Sequence, residues 1–417
     1  MVMENGYNKT AQQTFKTSVF YMNSVSNLSN FREVFFMTKK LKIGNYISKW
    51  MKSRGELMAR IASVGLCVPP YCISQEKTVE LVRELFQDSF DEIERLLKVF
   101  ENGQIQKRYF SVPLEWFKQD HTFAEKNQIF IEKAVQFGVA AITECLRKPT
   151  CLQEPIPVEE IDAIFYITSS GLATPSIDAK IMNLLPFSKH CKRIPIWGLG
   201  CAGGASGLSR AFEYCKAFPN AKVLVLSVEL CSLTFQKNDH TKSNLVGTSL
   251  FADGVACALV CGLNADIKRK NKAIPIIEST QSMLMPDSED VMGWSIRNEG
   301  FFVIFSKHIP TIIRTWVHSN VENILDEHEL TVQELQHLIA HPGGKKVLDA
   351  YVDTFGIGNE KINHSLDILT NYGNMSSATI LYVLKKFLET DIKRGDKGLA
   401  IAVGPGFSSE ILLLRWE

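Results

Sequence analysis

A cysteine in a glycine-rich turn is the feature that most restricts the fold of this chain. The turn covers residues 197–207 and has the sequence Trp-Gly-Leu-Gly-Cys-Ala-Gly-Gly-Ala-Ser-Gly. Apolar residues then recur at helical spacing, and Pro219 precedes an apolar strand. Cys201 would therefore lie at a helix N-terminus, where unpaired N–H groups and the helix dipole favour a thiolate. For this turn alone, a buried structural cysteine stays an alternative.

A second turn carries a histidine. The apolar run Leu338-Ile339-Ala340 ends at His341, and Pro-Gly-Gly follows it. This pattern predicts a strand whose carboxyl end presents an imidazole, where α/β proteins usually place their chemistry. A hydrogen-bonded structural histidine would explain the same pattern.

A third turn carries an asparagine. Residues 371–378 read Asn-Tyr-Gly-Asn-Met-Ser-Ser-Ala and lead into a strongly apolar helical run. Ser376 or Ser377 is the predicted N-cap, and Asn374 would project from the turn just before the helix. Alone, Asn374 is better explained as a turn former than as a catalytic amide. Together, Cys201, His341 and Asn374 offer a nucleophile with two hydrogen-bond donors.

These motifs, together with Gly404-Pro405-Gly406 near the C-terminus, resemble those of type III polyketide synthases. These enzymes are the chalcone-synthase-like branch of the thiolase superfamily, and the bacterial members that make alkylpyrones are most similar. The resemblance covers residues 58–417. It implies an α/β fold of the duplicated, five-layered αβαβα thiolase type, a homodimer, and Cys201, His341 and Asn374 as catalytic residues.

The resemblance also assigns residues to substrate binding. Arg95 and Lys98 match cations that hold the CoA phosphates, but a third cation of that set falls at Asn102 here. Phe251 matches an aromatic gatekeeper between the CoA tunnel and the cavity. Val303 falls at a second gatekeeper position, where a smaller side chain would suit a long, flexible acyl chain.

Further residues are expected along the active-site cavity. The loop Gly404-Pro405-Gly406 is expected to line it, since the resemblance makes this loop a family hallmark. Trp294 stands where plant relatives keep glycine, which predicts a reshaped chamber and short extension. The expected cavity residues are Ser170, Thr174, Cys231, Thr234, Gly247, Trp294 and Ser376.

The implied chemistry uses CoA thioesters as substrates and needs neither a metal nor another cofactor. The Cys201 thiolate would attack a medium- or long-chain fatty acyl-CoA. Malonyl-CoA would then lose CO₂, and His341 and Asn374 would hold the enolate charge and the later oxyanion. An imidazolium beside Cys201 would also lower the thiol pKa. Two or three extensions would end in an alkylpyrone, or less readily in an alkylresorcinol.

The remaining chain alternates apolar strands with amphipathic helices. Residues 77–100 and 127–146 have helical spacing, and residues 163–168 form an apolar run typical of a strand. After about residue 265 the βαβ rhythm restarts, which predicts halves over 58–265 and 266–417 with the site between them. Residues 1–57 are predicted to be a loosely ordered extension, or the result of a start assigned too early, since Met58 reads like a natural beginning. A targeting or membrane-surface segment stays an alternative for them.

Composition restricts the class of protein further. The formal net charge of +1 gives no electrostatic case for nucleic-acid binding. The ten cysteines are scattered without a C-x-x-C pair, which suits a reducing cytosol better than a disulfide framework or a zinc site. No apolar run is long enough to span a bilayer.

Three other functions remain open from the sequence. A β-ketoacyl-acyl carrier protein synthase III shares Cys, His and Asn but performs a single condensation. A papain-type hydrolase would need a general-base histidine beside the thiol, although the βαβ rhythm disfavours it. A degraded synthase kept as a scaffold would retain the fold without the chemistry.

Overall fold

The computed structural model describes residues 58–87, 90, 92–147 and 151–417. The prediction for residues 1–57 lies outside these described residues. Residues 58–417 form one compact unit. The strands are β1 (Ala59–Cys67), β2 (Tyr71–Ser74), β3 (Lys107–Phe110), β4 (Ala163–Thr168), β5 (Lys192–Trp197), β6 (Lys222–Leu230), β7 (Asp253–Gly262), β8 (Pro275–Leu284), β9 (Met292–Arg297), β10 (Gly300–Phe305), β11 (His337–Ala340), β12 (Lys397–Gly404) and β13 (Ser408–Trp416).

The helices lie between these strands, and a π-helical turn over Ile313–Val317 joins α7 to α8. They are α1 (Gln75–Phe86), α2 (Ile93–Asn102), α3 (Phe123–Arg147), α4 (Ile177–Met182), α5 (Gly203–Ala217), α6 (Lys242–Leu250), α7 (Ile309–Ile312), α8 (His318–Asp326), α9 (Lys345–Phe355), α10 (Asn363–Tyr372) and α11 (Thr379–Glu389).

The main sheet repeats one pairing pattern twice. Its order is β5-β4-β6-β7-β1-β8-β13-β12-β11. In the first half, β4 and β6 are parallel, and β7 and β1 follow as antiparallel neighbours. In the second half, β11 and β12 are parallel, and β13 and β8 follow in the same way. The duplicated α/β fold expected from the sequence is therefore confirmed, with β1 and β8 paired where the two halves meet.

Helices cover and separate the two halves of the sheet. Helices α5 and α11 contribute to one buried apolar cluster that includes strands of both halves. Helix α3 packs on the outer face of the first half, and α8 and α9 pack on that of the second. Amphipathic outer helices and largely buried central helices thus give the layer order α, β, α, β, α.

The predicted elements agree with the structure except in detail. The strand predicted over 163–168 is confirmed at both ends, and the helix predicted over 127–146 extends over Phe123–Arg147. The helical character predicted over 77–100 divides between α1 and α2. The boundary predicted near residue 265 falls in the connection between β7 and β8, and the division into halves there stays a prediction.

Candidate active site

The nucleophile turn joins β5 to α5. Gly200 has a φ of +46°, which a residue with a side chain adopts only at a cost, and Gly200–Ala202 form one 3₁₀ turn before the helix. Cys201 therefore lies just ahead of the helix N-terminus, as predicted, and is 5% exposed. A Cβ at Gly200 would approach Pro405 Cδ to 2.6 Å, so the tight turn is held against the C-terminal loop.

The loop Gly404-Pro405-Gly406 supports the nucleophile from behind. A Cβ at Gly404 would lie 2.4 Å from the Leu199 carbonyl oxygen, so only glycine allows this approach. None of the three residues lines either of the two cavities described below. The contacts of Gly404 and Pro405 with residues 199–202 hold the nucleophile turn in place, and the position of the loop on the cavity wall stays a prediction.

A second glycine brings the asparagine turn close to the nucleophile. A Cβ at Gly204 would lie 2.1 Å from the Ser377 carbonyl oxygen. The predicted serine N-cap of α11 is wrong, since Ser376–Ala378 form a 3₁₀ turn and Ala378 occupies the cap position. The Ser377 hydroxyl instead donates to Glu229 and contacts the Ser227 hydroxyl at 2.7 Å.

His341 follows directly after β11. Its backbone N–H donates to the Ile401 carbonyl at 2.8 Å, which extends the pairing of β11 with β12 by one residue. The ring is 1% exposed, and neither ring nitrogen has a hydrogen-bond partner among the described residues. The imidazole thus keeps both nitrogens available for a substrate, contrary to a structural histidine held in a hydrogen bond.

The Asn374 side chain is oriented by its neighbours. Its Oδ1 accepts from the Ser376 N–H at 2.8 Å, and its Nδ2 donates to the Gly343 carbonyl at 3.2 Å. Cys201 Sγ lies 3.9 Å from Oδ1 and 4.0 Å from Nδ2. The amide therefore connects the nucleophile turn to the turn that follows His341.

One cavity contains all three residues. This outer cavity has a volume of about 510 Å³, and Cys201, His341 and Asn374 lie on its wall. The predicted cations Arg95 and Lys98 also line it, as does Asn102. Arg95 is paired with Glu92 at 2.6 Å, whereas Lys98 makes no ion pair with any described residue. The sequence did not single out three further lysines of this wall, Lys307, Lys345 and Lys346.

Burial opposes charge on both members of the expected ion pair. It raises the pKa of the Cys201 thiol to about 12, despite a hydrogen bond to Ser376 that acts in the other direction. It lowers the pKa of His341 to about 3. The sequence predicted that the helix N-terminus would favour a thiolate. At this depth of burial, the helix N-terminus alone is not sufficient to ionise the thiol. An ion pair requires both charges to form together, by transfer of the proton from sulfur to imidazole.

A narrower inner cavity lies beyond the gatekeeper positions. Its volume is about 50 Å³, and Phe251, Val303 and Trp294 line it. The Trp294 ring is 5.7 Å from that of Phe251 between centroids, which fills the space a glycine would leave open. Cys231, Thr234 and Gly247 lie on the same wall, as expected. Its apolar residues are Leu81, Val82, Phe110, Phe117, Phe235, Phe251, Trp294 and Val303.

Three expected cavity residues line neither cavity. Thr174 is exposed, in the segment between β4 and α4. The Ser170 hydroxyl donates to Glu229 at 2.7 Å. Ser376 has a φ of +47°, and its hydroxyl lies 3.5 Å from that of Ser169. The place of these three residues on the cavity wall stays a prediction.

The sequence reasoning missed Glu229. This carboxyl is fully buried near Cys201 and accepts hydrogen bonds from the Ser169 N–H at 3.1 Å and from the hydroxyls of Ser169, Ser170 and Ser377. Burial raises its pKa. A signal was present, since Glu229 is the one acidic residue in the apolar strand Lys222–Leu230, where a buried carboxyl needs partners.

Comparisons with known proteins agree with this geometry. Residues 47–264 match the N-terminal domain, and residues 276–416 the C-terminal domain, of chalcone and stilbene synthases. The chain therefore belongs to the chalcone and stilbene synthase family. It is a type III polyketide synthase, an acyl-transferring, decarboxylating condensing enzyme.

Relatives come from several bacteria. The chain is 55% identical, over 86% of its length and 99% of the relative's, to a Bacillus subtilis (strain 168) protein provisionally named chalcone synthase. It is 28% identical, over 85% of its length and 91% of the relative's, to the alpha-pyrone synthesis polyketide synthase-like Pks18 of Mycobacterium tuberculosis. The crystal structure of 1,3,6,8-tetrahydroxynaphthalene synthase from Streptomyces coelicolor A3(2) superposes with a TM-score of 0.79 at 28% identity, over 86% of this chain and 99% of that one.

Among the described residues, no helix has the length and apolarity required to cross a membrane. All ten cysteines are free thiols.

Proposed function

We propose that this synthase loads a medium- or long-chain fatty acyl-CoA on Cys201, extends it two or three times with malonyl-CoA, and releases an alkylpyrone. The observation that carries the proposal is the convergence of a thiol, an unpartnered imidazole and an oriented amide on one large cavity. The basic rim of that cavity supports CoA thioesters as the substrates. The proposed chemistry needs no resident metal or cofactor.

The reaction begins with a proton transfer from Cys201 Sγ to His341. The thiolate attacks the acyl-CoA carbonyl, the tetrahedral intermediate collapses, and the C–S bond to CoA breaks. The departing CoA thiolate takes the proton back from the His341 imidazolium, and the acyl group remains on Cys201.

Condensation then needs a stabilised enolate. When the carboxyl C–C bond of malonyl-CoA breaks, CO₂ leaves and negative charge develops on the thioester oxygen. The imidazole N–H of His341 and the Nδ2–H of Asn374 are suited to hold that charge, since both lie on the cavity wall with Cys201. The enolate carbon attacks the acyl-enzyme carbonyl and expels the Cys201 thiolate, and the extended chain returns to it from CoA for the next round. Attack of an enol oxygen on the thioester carbonyl closes the pyrone ring, breaks the C–S bond and expels the thiolate, which takes up the enol proton.

The inner cavity supports an aliphatic starter. Its wall is mainly aliphatic and aromatic, and the narrow space beside Trp294 and Val303 suits a flexible chain better than a rigid aromatic acyl group. The name of the Mycobacterium tuberculosis relative, which specifies alpha-pyrone synthesis, supports the same class of product.

An acyl-CoA series tests the proposal. Purified protein is incubated with C2 to C18 acyl-CoAs and labelled malonyl-CoA, and the products are identified by mass spectrometry. We expect alkylpyrones from the C8 to C18 starters, and an acyl adduct on the peptide that contains Cys201.

The Cys201→Ala variant is the matched control. It should form no adduct, yet it should retain slow decarboxylation of malonyl-CoA, because the two hydrogen-bond donors remain. If the wild-type protein gives only products of a single condensation, the activity is instead that of a β-ketoacyl-acyl carrier protein synthase III. Native extension by Cys201→Ala would overturn the assignment of the nucleophile.

We also propose a homodimer in the cytoplasm. Strand β5 lies at an edge of the sheet, and its Trp197 is 44% exposed, close to the exposed Leu172. An unpaired edge with exposed apolar side chains is suited to pairing with a second copy. Light scattering on the eluting protein should give twice the mass of one chain, and Trp197→Lys should shift it to the mass of a single chain.

A further inference from the structure

A fully buried arginine lies on the wall of the inner cavity. Arg108, in β3, is 1% exposed, and its Nη1 donates to the carbonyls of Thr248 and Phe251, each at 2.6 Å. Its Nε and Nη2 have no hydrogen-bond acceptor among the described residues. Two unmatched N–H groups on a buried cation cost free energy unless something else uses them.

These two nitrogens form one edge of the guanidinium. The same edge of Arg83 shows what it can bind, since Arg83 Nε and Nη2 donate to the two carboxylate oxygens of Glu94 at 2.6 and 3.2 Å. This edge is a planar fork that suits a pair of oxygen atoms joined by a short bridge. In Arg108, neither nitrogen of this fork has a hydrogen-bond acceptor among the described residues.

The nearest carboxylate does not fill the fork. Asp253 interacts electrostatically with Arg108, but Ser111 and Ser232 already occupy its oxygens with hydrogen bonds of 2.6 to 2.7 Å. Burial lowers the pKa of Arg108 to about 9, so the guanidinium is still charged at neutral pH. The charge therefore lies in a mainly apolar chamber without a direct counter-ion.

We infer that the Nε–Nη2 edge of Arg108 binds the two oxygens of a 1,3-dicarbonyl unit in the growing poly-β-keto chain. This inference rests on the proposed function. Each condensation creates one such unit, and its planar enol or enolate form presents two oxygens on the same side, as a carboxylate does. Arg108 is thus a specificity-determining residue that engages the chain only after the first extension.

Its position agrees with that role. The Phe251 carbonyl is bonded to Arg108, and the neighbouring backbone groups of Leu250 and Ala252 pair with Asn374, each at 2.9 Å. Arg108 is therefore fixed to the segment that carries the gatekeeper ring, and this segment pairs with the backbone of Asn374. A 1,3-dicarbonyl entering past Phe251 would meet the fork, while the alkyl part continues along Leu81 and Val82.

The Arg108→Lys variant tests the inference. An ammonium group keeps the charge and can still donate to the Thr248 and Phe251 carbonyls, but it lacks the planar fork. We expect unchanged formation of the acyl adduct on Cys201 and a roughly tenfold fall in the ratio of doubly to singly extended products, the effect of one charge-assisted bond pair. The Lys222→Met variant is the control. It removes a buried cation at the first residue of β6, whereas the inner-cavity residue Cys231 follows the last residue of that strand, so the ratio should stay unchanged.

A binding measurement separates this inference from the proposed function. Acetylacetone, a small 1,3-diketone, is titrated into the Cys201→Ala protein with and without Arg108→Lys, and acetone serves as the single-carbonyl comparison. We expect affinity for acetylacetone to fall about tenfold with Arg108→Lys and affinity for acetone to stay constant.

Equal binding of acetylacetone in both proteins, or a native product ratio in Arg108→Lys, would overturn the inference while leaving the polyketide activity intact. An equal loss of adduct formation would also overturn it, since Arg108 would then act on the fold of the site. If the wild-type protein extends no acyl-CoA, the proposed function fails, and the binding result by itself decides the dicarbonyl site.

Discussion

The outer and inner cavities of this synthase differ in size, in charge and in how they are held. The outer cavity, about 510 Å³, is bordered by exposed lysines and ends at three groups able to react, whereas the inner cavity, about 50 Å³, has a mainly apolar wall with one buried cation. Exposed cations attract a polyanion weakly and at long range, while a buried wall selects by shape. The outer cavity should therefore determine binding of the CoA part, and the inner cavity the length of the product.

The largest effect is expected from the hydrogen-bond donors on the wall of the outer cavity. Asn374→Ala or His341→Ala removes one donor to the enolate oxygen, so decarboxylation of malonyl-CoA should fall about 10²–10³-fold. Release of labelled CO₂ measures this step without an acyl starter. A variant that decarboxylates at the native rate would remove that residue from the proposed oxyanion site.

The next effect concerns ionisation of the nucleophile. In His341→Ala the thiol titrates alone, and with its pKa raised to about 12 by burial, the thiolate fraction should grow about tenfold per pH unit between pH 7 and 9. Alkylation of the Cys201 peptide by iodoacetamide should follow that slope. The proposed ion pair transfers this proton to the imidazole in the wild type, so we expect a much shallower slope there. Identical slopes in both proteins would exclude the ion pair.

A smaller effect is expected from the inner wall. Trp294→Gly removes the ring that contacts Phe251 and enlarges the chamber, so the ratio of longer to shorter polyketides should rise roughly tenfold, as for other changes of pocket size. Product analysis with one fixed starter measures it. Lys98→Glu changes the outer cavity and should leave this product ratio unchanged. A changed ratio in Lys98→Glu would contradict the assignment of product length to the inner cavity.

The smallest effect is expected from the exposed outer rim. Lys98→Glu should raise the KM for acyl-CoA about three- to tenfold at low salt, with kcat unchanged, and the difference should shrink at high ionic strength. Lys189→Glu is the control, since Lys189 is exposed and lines neither cavity. If both variants behave alike, net charge rather than the rim determines binding.

The sequence was most informative where backbone geometry restricts the residue type. Gly200 and Gly204 have chain conformations or neighbours that exclude side chains, so the turn around Cys201 could be identified from its glycines. The family resemblance then placed His341 and Asn374, and the structure brings all three residues to one cavity. Short polar residues are not restricted by the backbone in this way. Ser170 and Ser376 were expected on the cavity wall, but their positions depend on the hydrogen bonds that Glu229 and the turns offer.

By itself, then, the sequence determined the α/β class, the duplicated strand and helix rhythm and the three turns that carry the reactive groups, because periodicity and glycine requirements are local properties of the chain. Only the tertiary structure decided which groups are buried and what they contact. It supplied the raised pKa of Cys201, the support of the nucleophile turn by Pro405, and the unmatched fork of Arg108. Desolvation and hydrogen-bond pairing depend on segments far apart in the chain, so no local pattern encodes them.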